Sequence, residues 1–271
     1  MKIGNRDFAT TGHTYVMGIL NITPDSFSDG GVYHTVDEAL YRVEQMISEG
    51  MDVLDIGGES TRPGYTQVSD EEEIGRVIPM IEKVKSRFDT AISLDTYKSK
   101  VAAAGIAVGV DMINDIWGLK YDPGMAGVVA QAGVACCLMH NRKEDVYENY
   151  IDEVLCDLKE TIDIAHAAGI SDDRIILDPG VGFGKSYEQN LEVIDRLESL
   201  HSLGYPILLG ASRKSVVGLT LELPVQQRLE GTIVTTIYAV QKGAMFVRVH
   251  DVKENARAIR MTEAIRDGYR I

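Results

Sequence analysis

Eight times along its 271 residues the chain passes from a short, apolar, β-rich run into a stretch whose apolar residues recur at helical spacing. The runs that read as strands are YVMGILN, MDVLDIG, AISLDT, DMINDI, VACCLMH, RIILDPG, PILLGAS and AMFVRVH. Between them lie segments such as VDEALYRVEQMISEG, EEIGRVIPMIEKVKSRF, NYIDEVLCDLKETIDIAHAAG and YEQNLEVIDRLESLHSLG, several ending on a Gly suited to a helix C-cap. Strand then helix, eight times over, is the count of an α/β chain folded as a (β/α)₈ TIM barrel. An open doubly wound sheet would alternate too, since periodicity does not report closure. No Pro- or Ser-rich linker and no change of composition divides the chain, so a single domain over residues 1–271 is the simpler expectation.

Composition narrows the class of partner. Hydrophobic residues make up 45% and charged residues 25%, enough apolar material for a sizeable core. The opening MKIGNRDFATTGHTY lacks the apolar stretch of a signal peptide, and no run approaches the roughly 18 apolar residues of a membrane helix. A cytoplasmic location is expected, with Cys136, Cys137 and Cys156 as reduced core residues, since no CxxC pair is present. A formal charge of -14 without a basic stripe argues against nucleic acid and against an anionic membrane. Any anionic ligand must therefore meet a local cluster of cations.

In a parallel barrel the chemistry gathers at the C-terminal ends of the strands. The runs end, in order, at Asn21, at 57–64, at Asp95, at Asn114 and Asp115, at His140, at Asp178, at 212–214, and at Arg248 with His250. Taken singly, Asp and Asn at such places are ordinary turn formers and caps. Arg248 and His250 differ, because they alternate with Val247 and Val249 and so share one face, the interior if the valines face the helices. A charge aimed into a barrel is expensive unless it is paired or holds a ligand. GVGFGKS at 180–186 misses the P-loop spacing by one residue, and the six histidines show no HExxH spacing. Lys214, in GASRKS, reads either as a Schiff-base lysine or as an anion or carbonyl anchor at a helix start.

Eight blocks occur in order: NITPDSFSDGG at 21, DIGGESTRPG at 55, SLDT at 93, NDI at 114, MH at 139, DPGVGFGK at 178, GASRKS at 210 and RVHD at 248. Together they resemble the dihydropteroate synthase family, from about Tyr15 to the C-terminus. The resemblance implies a (β/α)₈ barrel, a homodimer, Mg²⁺ as cofactor and a role as sulfonamide target. It implies a reaction in which 6-hydroxymethyl-7,8-dihydropterin diphosphate and 4-aminobenzoate condense, with loss of pyrophosphate, to 7,8-dihydropteroate. It places Asp95, Asn114, Met139, Asp178, Phe183 and Lys214 at the pterin, and Arg62, Arg248 and His250 at the diphosphate. It places Phe27, Thr61, Pro63 and Ser212 at the aminobenzoate and Asn21 at the metal. Asp25, Phe27, Asp95, Lys214, Arg248 and His250 are the implied catalytic set.

Elementary chemistry suits those roles. A pterin edge carries adjacent NH and NH₂ donors that one carboxylate accepts together, while Asn114 offers both donor and acceptor. The departing diphosphate needs fixed cations and a metal to meet its growing charge. The arylamine is already neutral near pH 7, so no strong base is required, and a dissociative route with a delocalised pterin cation near Asp95 is expected. Water must be kept from that cation, which makes residues 21–31, with Phe27 as a lone aromatic among polar residues, an expected lid that is poorly ordered without ligand. Val216 after SRKS and the HNRKEDVYENY stretch depart from the commonest family pattern, at the edge of the aminobenzoate region. Two rival readings stand beside this one: a pterin-dependent methyltransferase serving a corrinoid, and a non-catalytic pterin-binding scaffold.

Overall fold

The structure, a computed structural model, describes residues 1–22, 36–60 and 67–268. Eight parallel strands form one sheet: β3 (Tyr15–Asn21), β4 (Val53–Gly57), β5 (Ala91–Asp95), β6 (Met112–Asp115), β7 (Ala135–Met139), β8 (Ile175–Asp178), β9 (Leu208–Leu209) and β10 (Phe246–Val249). Their order in the sheet is β8-β7-β6-β5-β4-β3-β10-β9. A parallel bridge between Leu177 and Ile207, with the Leu177 amide donating to the Pro206 carbonyl at 2.9 Å, joins the last strand to the first and closes the barrel. The open-sheet alternative is thereby removed. Apart from β3, which coincides with its run YVMGILN, the observed strands are shorter than the apolar runs.

Side-chain parity along each strand divides the apolar residues between two regions. Leu54, Ile56, Ile92, Leu94, Ile113, Leu138, Leu177, Val247 and Val249 pack outward against the helices. Met17, Val53, Ala91, Met112, Cys137, Ile176, Leu208 and Phe246 fill the lower barrel. An antiparallel ribbon absent from the sequence reading, β1 (Lys2–Ile3) and β2 (Arg6–Asp7), adds Ile3 and Phe8 to that lower cluster. Its strands are only two residues each, too short for periodicity to register.

Helices follow the strands as expected. Ser186 and Gln189 form a reciprocal capping box at the start of the helix Tyr187–Asp195, and the helices Met125–Ala132 and Tyr150–Ala168 end on Gly133 and Gly169 in the left-handed region. No described helix is long and apolar enough to cross a membrane. One expectation is corrected: Cys136 and Cys137 are buried, but Cys156 is exposed, on the helix Tyr150–Ala168. Helical periodicity located the helix, and only its docking decided which stripe faced solvent.

Candidate active site

Polar residues replace apolar ones in the upper barrel, and they do so on strands whose parity points them inward. Asp55 on β4 is completely buried, two residues from inward-facing Val53. Arg248 on β10 donates from Nε to Asp55 Oδ2 at 2.6 Å and from Nη2 to Asp95 Oδ2 at 2.6 Å. Asn114 Nδ2 also donates to Asp55 Oδ2, at 3.3 Å. One guanidinium thus ties β4, β5 and β10 together, with each charge-assisted bond answering part of the desolvation of the ions.

Asp178, at the end of β8, accepts the Gly180 amide on Oδ1 at 2.7 Å. A Cβ added at Gly210 would sit 3.6 Å from Asp178 Oδ2, 3.8 Å from Lys214 Nζ and 3.9 Å from Arg248 Cβ. Three charged side chains from three segments therefore surround a position that carries no side chain. Lys214 Nζ donates to the Val181 carbonyl at 2.5 Å and lies 4.8 Å from the centroid of the Phe183 ring. Phe183 packs with Met139, Ile116, Tyr97 and Trp117, an apolar wall beside the charged floor. Asn21 closes the other flank: a Cβ at Gly57 would lie 3.5 Å from Asn21 Oδ1 and 3.5 Å from Asp95 Cβ.

Burial sets the proton affinities here. It pushes Asp95 up to about 7, against the pull of Arg248 and with help from Asp55 and Glu73. Burial raises Asp178 as well, opposed by Lys214 and the Gly180 amide. Lys214 falls to about 8, again through burial, which Asp178 opposes and Arg248 reinforces. For Arg248, burial disfavours the charge, but Asp55 and Asp95 outweigh it and hold the guanidinium more firmly protonated than usual. The cup thus presents carboxylates and an amine whose charges are costly without a partner, a common property of binding sites.

Of the residues singled out from the sequence, Asp95, Asn114, Asp178, Lys214, Arg248, Met139 and Phe183 share this cup, and Asn21 flanks Asp95. Ser212 and His250 meet beside it: the Ser212 hydroxyl accepts the His250 amide at 3.2 Å and lies 3.0 Å from His250 Nδ1. Asp25, Phe27, Thr61, Arg62 and Pro63, and with them the expected lid, lie outside the described residues. Two strand-end groups are corrected. His140 turns away from the cup; its Nε2 lies 3.0 Å from Asp157 Oδ2 and its Nδ1 2.8 Å from Lys185 Nζ. Asp115 caps the amides of Trp117 and Leu119, each at 2.8 Å. Parity explains both, since their strand neighbours Met139 and Asn114 take the inward positions. Asp55 went unnoticed in the sequence, although the signal that exposed Arg248, a charge inside an apolar strand, was present there too.

The chain is similar to known proteins over most of its length. A family model described as "Pterin binding enzyme" matches residues 17–250. A dihydropteroate synthase of Clostridium beijerinckii is 57% identical over 266 residues, which cover 98% of this chain and 99% of the relative. Among solved structures, dihydropteroate synthase from Clostridium difficile, in the presence of pteroic acid, superposes with a TM-score of 0.91 at 49% identity, covering 96% of this chain and 99% of the other. That from Xanthomonas albilineans, with 4-aminobenzoic acid, gives 0.89 at 43% identity, covering 94% and 93%.

Proposed function

The chain belongs to the pterin-binding enzyme family, among the dihydropteroate synthases, and from that premise we propose how its barrel mouth carries the reaction. It is a transferase that joins 6-hydroxymethyl-7,8-dihydropterin diphosphate to 4-aminobenzoate, releasing pyrophosphate and 7,8-dihydropteroate. The corrinoid methyltransferase and the scaffold readings are set aside by that membership. Gly210 carries the argument for the pterin site: Asp178, Lys214 and Arg248 converge on it from three segments.

In this reading the Asp178 carboxylate accepts the paired NH and NH₂ donors of the pterin, Asn114 contributes a donor and an acceptor, and Lys214 donates to the ring carbonyl or a ring nitrogen. Met139 and Phe183 cover the ring faces. The carbon–oxygen bond breaks before the amine attacks, and the carboxylates Asp95 and Asp55 lie where positive charge on the pterin is stabilised. Arg62, Arg248 and His250 meet the diphosphate, and Phe27, Thr61, Pro63 and Ser212 surround the aminobenzoate. Asp25 joins Phe27 in completing the site.

Among the described residues no group of three or more His, Cys, Asp or Glu side chains forms a metal cage. A single amide oxygen, that of Asn21, fits Mg²⁺, which characteristically takes few protein ligands and completes its shell with phosphate oxygens and water. When bound, the ion neutralises charge growing on the leaving diphosphate. Asn21 would hold it, and the protein's own cations share the load.

At the level of the whole molecule, the reading is one domain acting in the cytoplasm as a homodimer. Exposed Leu219, Met261 and Ile265, at 62%, 62% and 72%, support a partner-covered face on the helices Ser215–Leu221 and Val252–Asp267. A pyrophosphate-release assay with and without 4-aminobenzoate tests the chemistry. Release that depends on both substrates and yields dihydropteroate is expected; steady release indifferent to the arylamine would contradict the condensation.

A further inference from the structure

The stretch that carries Lys214 is folded against local preference. The Lys214 amide donates to the Ala211 carbonyl at 3.2 Å, closing a turn whose third residue, Arg213, has φ of +57°. Left-handed backbone at that place in a turn favours Gly, and a residue with a Cβ keeps it only where its surroundings fix it. Here they do so from three directions. The Arg213 amide donates to Thr232 Oγ1 at 3.0 Å, and its carbonyl accepts from Arg228 Nη1 at 2.9 Å. Its guanidinium donates from Nε to Asp251 Oδ2 at 2.9 Å and from Nη2 to Asp251 Oδ1 at 2.5 Å, a two-pronged pair of fixed geometry.

Asp251 forgoes an ordinary use of its side chain to do this. It is the N-cap of the helix Val252–Asp267, where Asp commonly accepts from its own helix's amides, yet among the described residues its carboxylate makes no such bond. Its carbonyl is held by Nδ2 of buried Asn255 at 2.7 Å, and Asn255 Oδ1 accepts from Thr236 Oγ1 at 2.6 Å. The chain after β9 and the chain after β10 thus meet residue by residue: Ser212 with His250, then Arg213 with Asp251. Next in line is Lys214, whose ammonium donates to the Val181 carbonyl and stands beside Gly210 with Asp178 and Arg248. A turn fixed one residue before a side chain that crosses into the cup decides where that ammonium lies.

We propose that Arg213 and Asp251 form a positioning pair: they hold the Ala211–Lys214 turn in its left-handed form and so aim Lys214 into the pterin cup. The inference rests on the assignment of Lys214 to the pterin. Neither member of the pair is a catalytic residue; each acts through the backbone that carries Lys214.

Calorimetry with 6-hydroxymethyl-7,8-dihydropterin, which lacks the diphosphate, reads the cup alone. D251N keeps the shape of the side chain and a residue suited to the N-cap, and it should raise the dissociation constant about fivefold to tenfold, the scale of one displaced charged donor. R213A should bind about threefold more weakly than R213G, because Gly recovers the left-handed turn without the pair. In K214A, itself impaired about tenfold, adding D251N should cost less than about twofold more, because the pair acts through the missing ammonium. A purely structural role would lower Tm while D251N binds like the parent, or would repeat the full D251N loss in K214A. Either result overturns the proposal, as does R213A binding as well as R213G. K214A separates this from the underlying assignment. If K214A is impaired and D251N is not, positioning alone fails; if K214A binds the pterin like the parent, the assignment of Lys214 fails.

Discussion

At the level of single side chains, the site is governed by charges that are buried before any ligand arrives. Lys214 illustrates the consequence, since its ammonium spends its visible bond on a backbone carbonyl and its field on Asp178. Replacing it with Ala should remove about 2 to 4 kcal/mol of transition-state stabilisation, the scale of one preorganised donor. Steady-state rates within threefold of the parent would count against its role. Asp95 makes a prediction about stability. Burial raises it to about 7, so the folded state binds a proton that the unfolded chain releases near pH 4, and the group's contribution to stability falls as pH rises through that window. Denaturant unfolding of the ligand-free protein from pH 4.5 to 7.5 should show the parent losing stability relative to D95N as pH increases. Parallel curves would place Asp95 outside the linkage. The inward aim of Arg248 was legible from its alternation with Val247 and Val249, but its partners were not, because Asp55 and Asp95 are 193 and 153 residues away in sequence.

Two glycines show how strands and their loops shape the mouth. Gly180 follows β8 with φ of +73°, and a Cβ there would stand 1.9 Å from the His140 carbonyl oxygen. G180A should destabilise the fold by on the order of 3 kcal/mol through strain and overlap, read as a lower Tm. Gly210 is the contrast. A Cβ there meets Asp178, Lys214 and Arg248 only at ordinary van der Waals distances, 3.6 to 3.9 Å. G210A should fold with nearly parental Tm yet lose about tenfold or more in pterin affinity by calorimetry, because the methyl group occupies the floor on which the ligand rests. Parental affinity in G210A would remove that floor from the pterin site. Strand positions were readable because a run of apolar residues is a local signal. The outward turn of His140 and Asp115 was hidden, since a polar residue at a strand end looks the same in sequence whichever way the pleat carries it.

For the molecule as a whole, closure of the barrel is the decisive event, and it is completed between Leu177 and Ile207. Closure brings β8 and β10 to either side of β9, and with them Asp178 and Arg248 around Gly210. The exposed apolar face makes a prediction at the same level: M261E combined with I265E should shift a dimer to monomer in analytical ultracentrifugation, while far-UV circular dichroism stays unchanged. A parent that sediments as a monomer would remove the homodimer reading. By itself the amino-acid order determined the eightfold alternation, the alternation of Arg248 and His250 with Val247 and Val249, and the family blocks, because each depends on neighbours within one strand or helix. Tertiary structure alone decided that Asp55 partners Arg248, that Cys156 faces solvent and that the N-terminal ribbon adds Ile3 and Phe8 to the lower barrel. Those outcomes depend on through-space distances and on desolvation, which exist only once segments far apart in the chain have been brought together around a closed sheet.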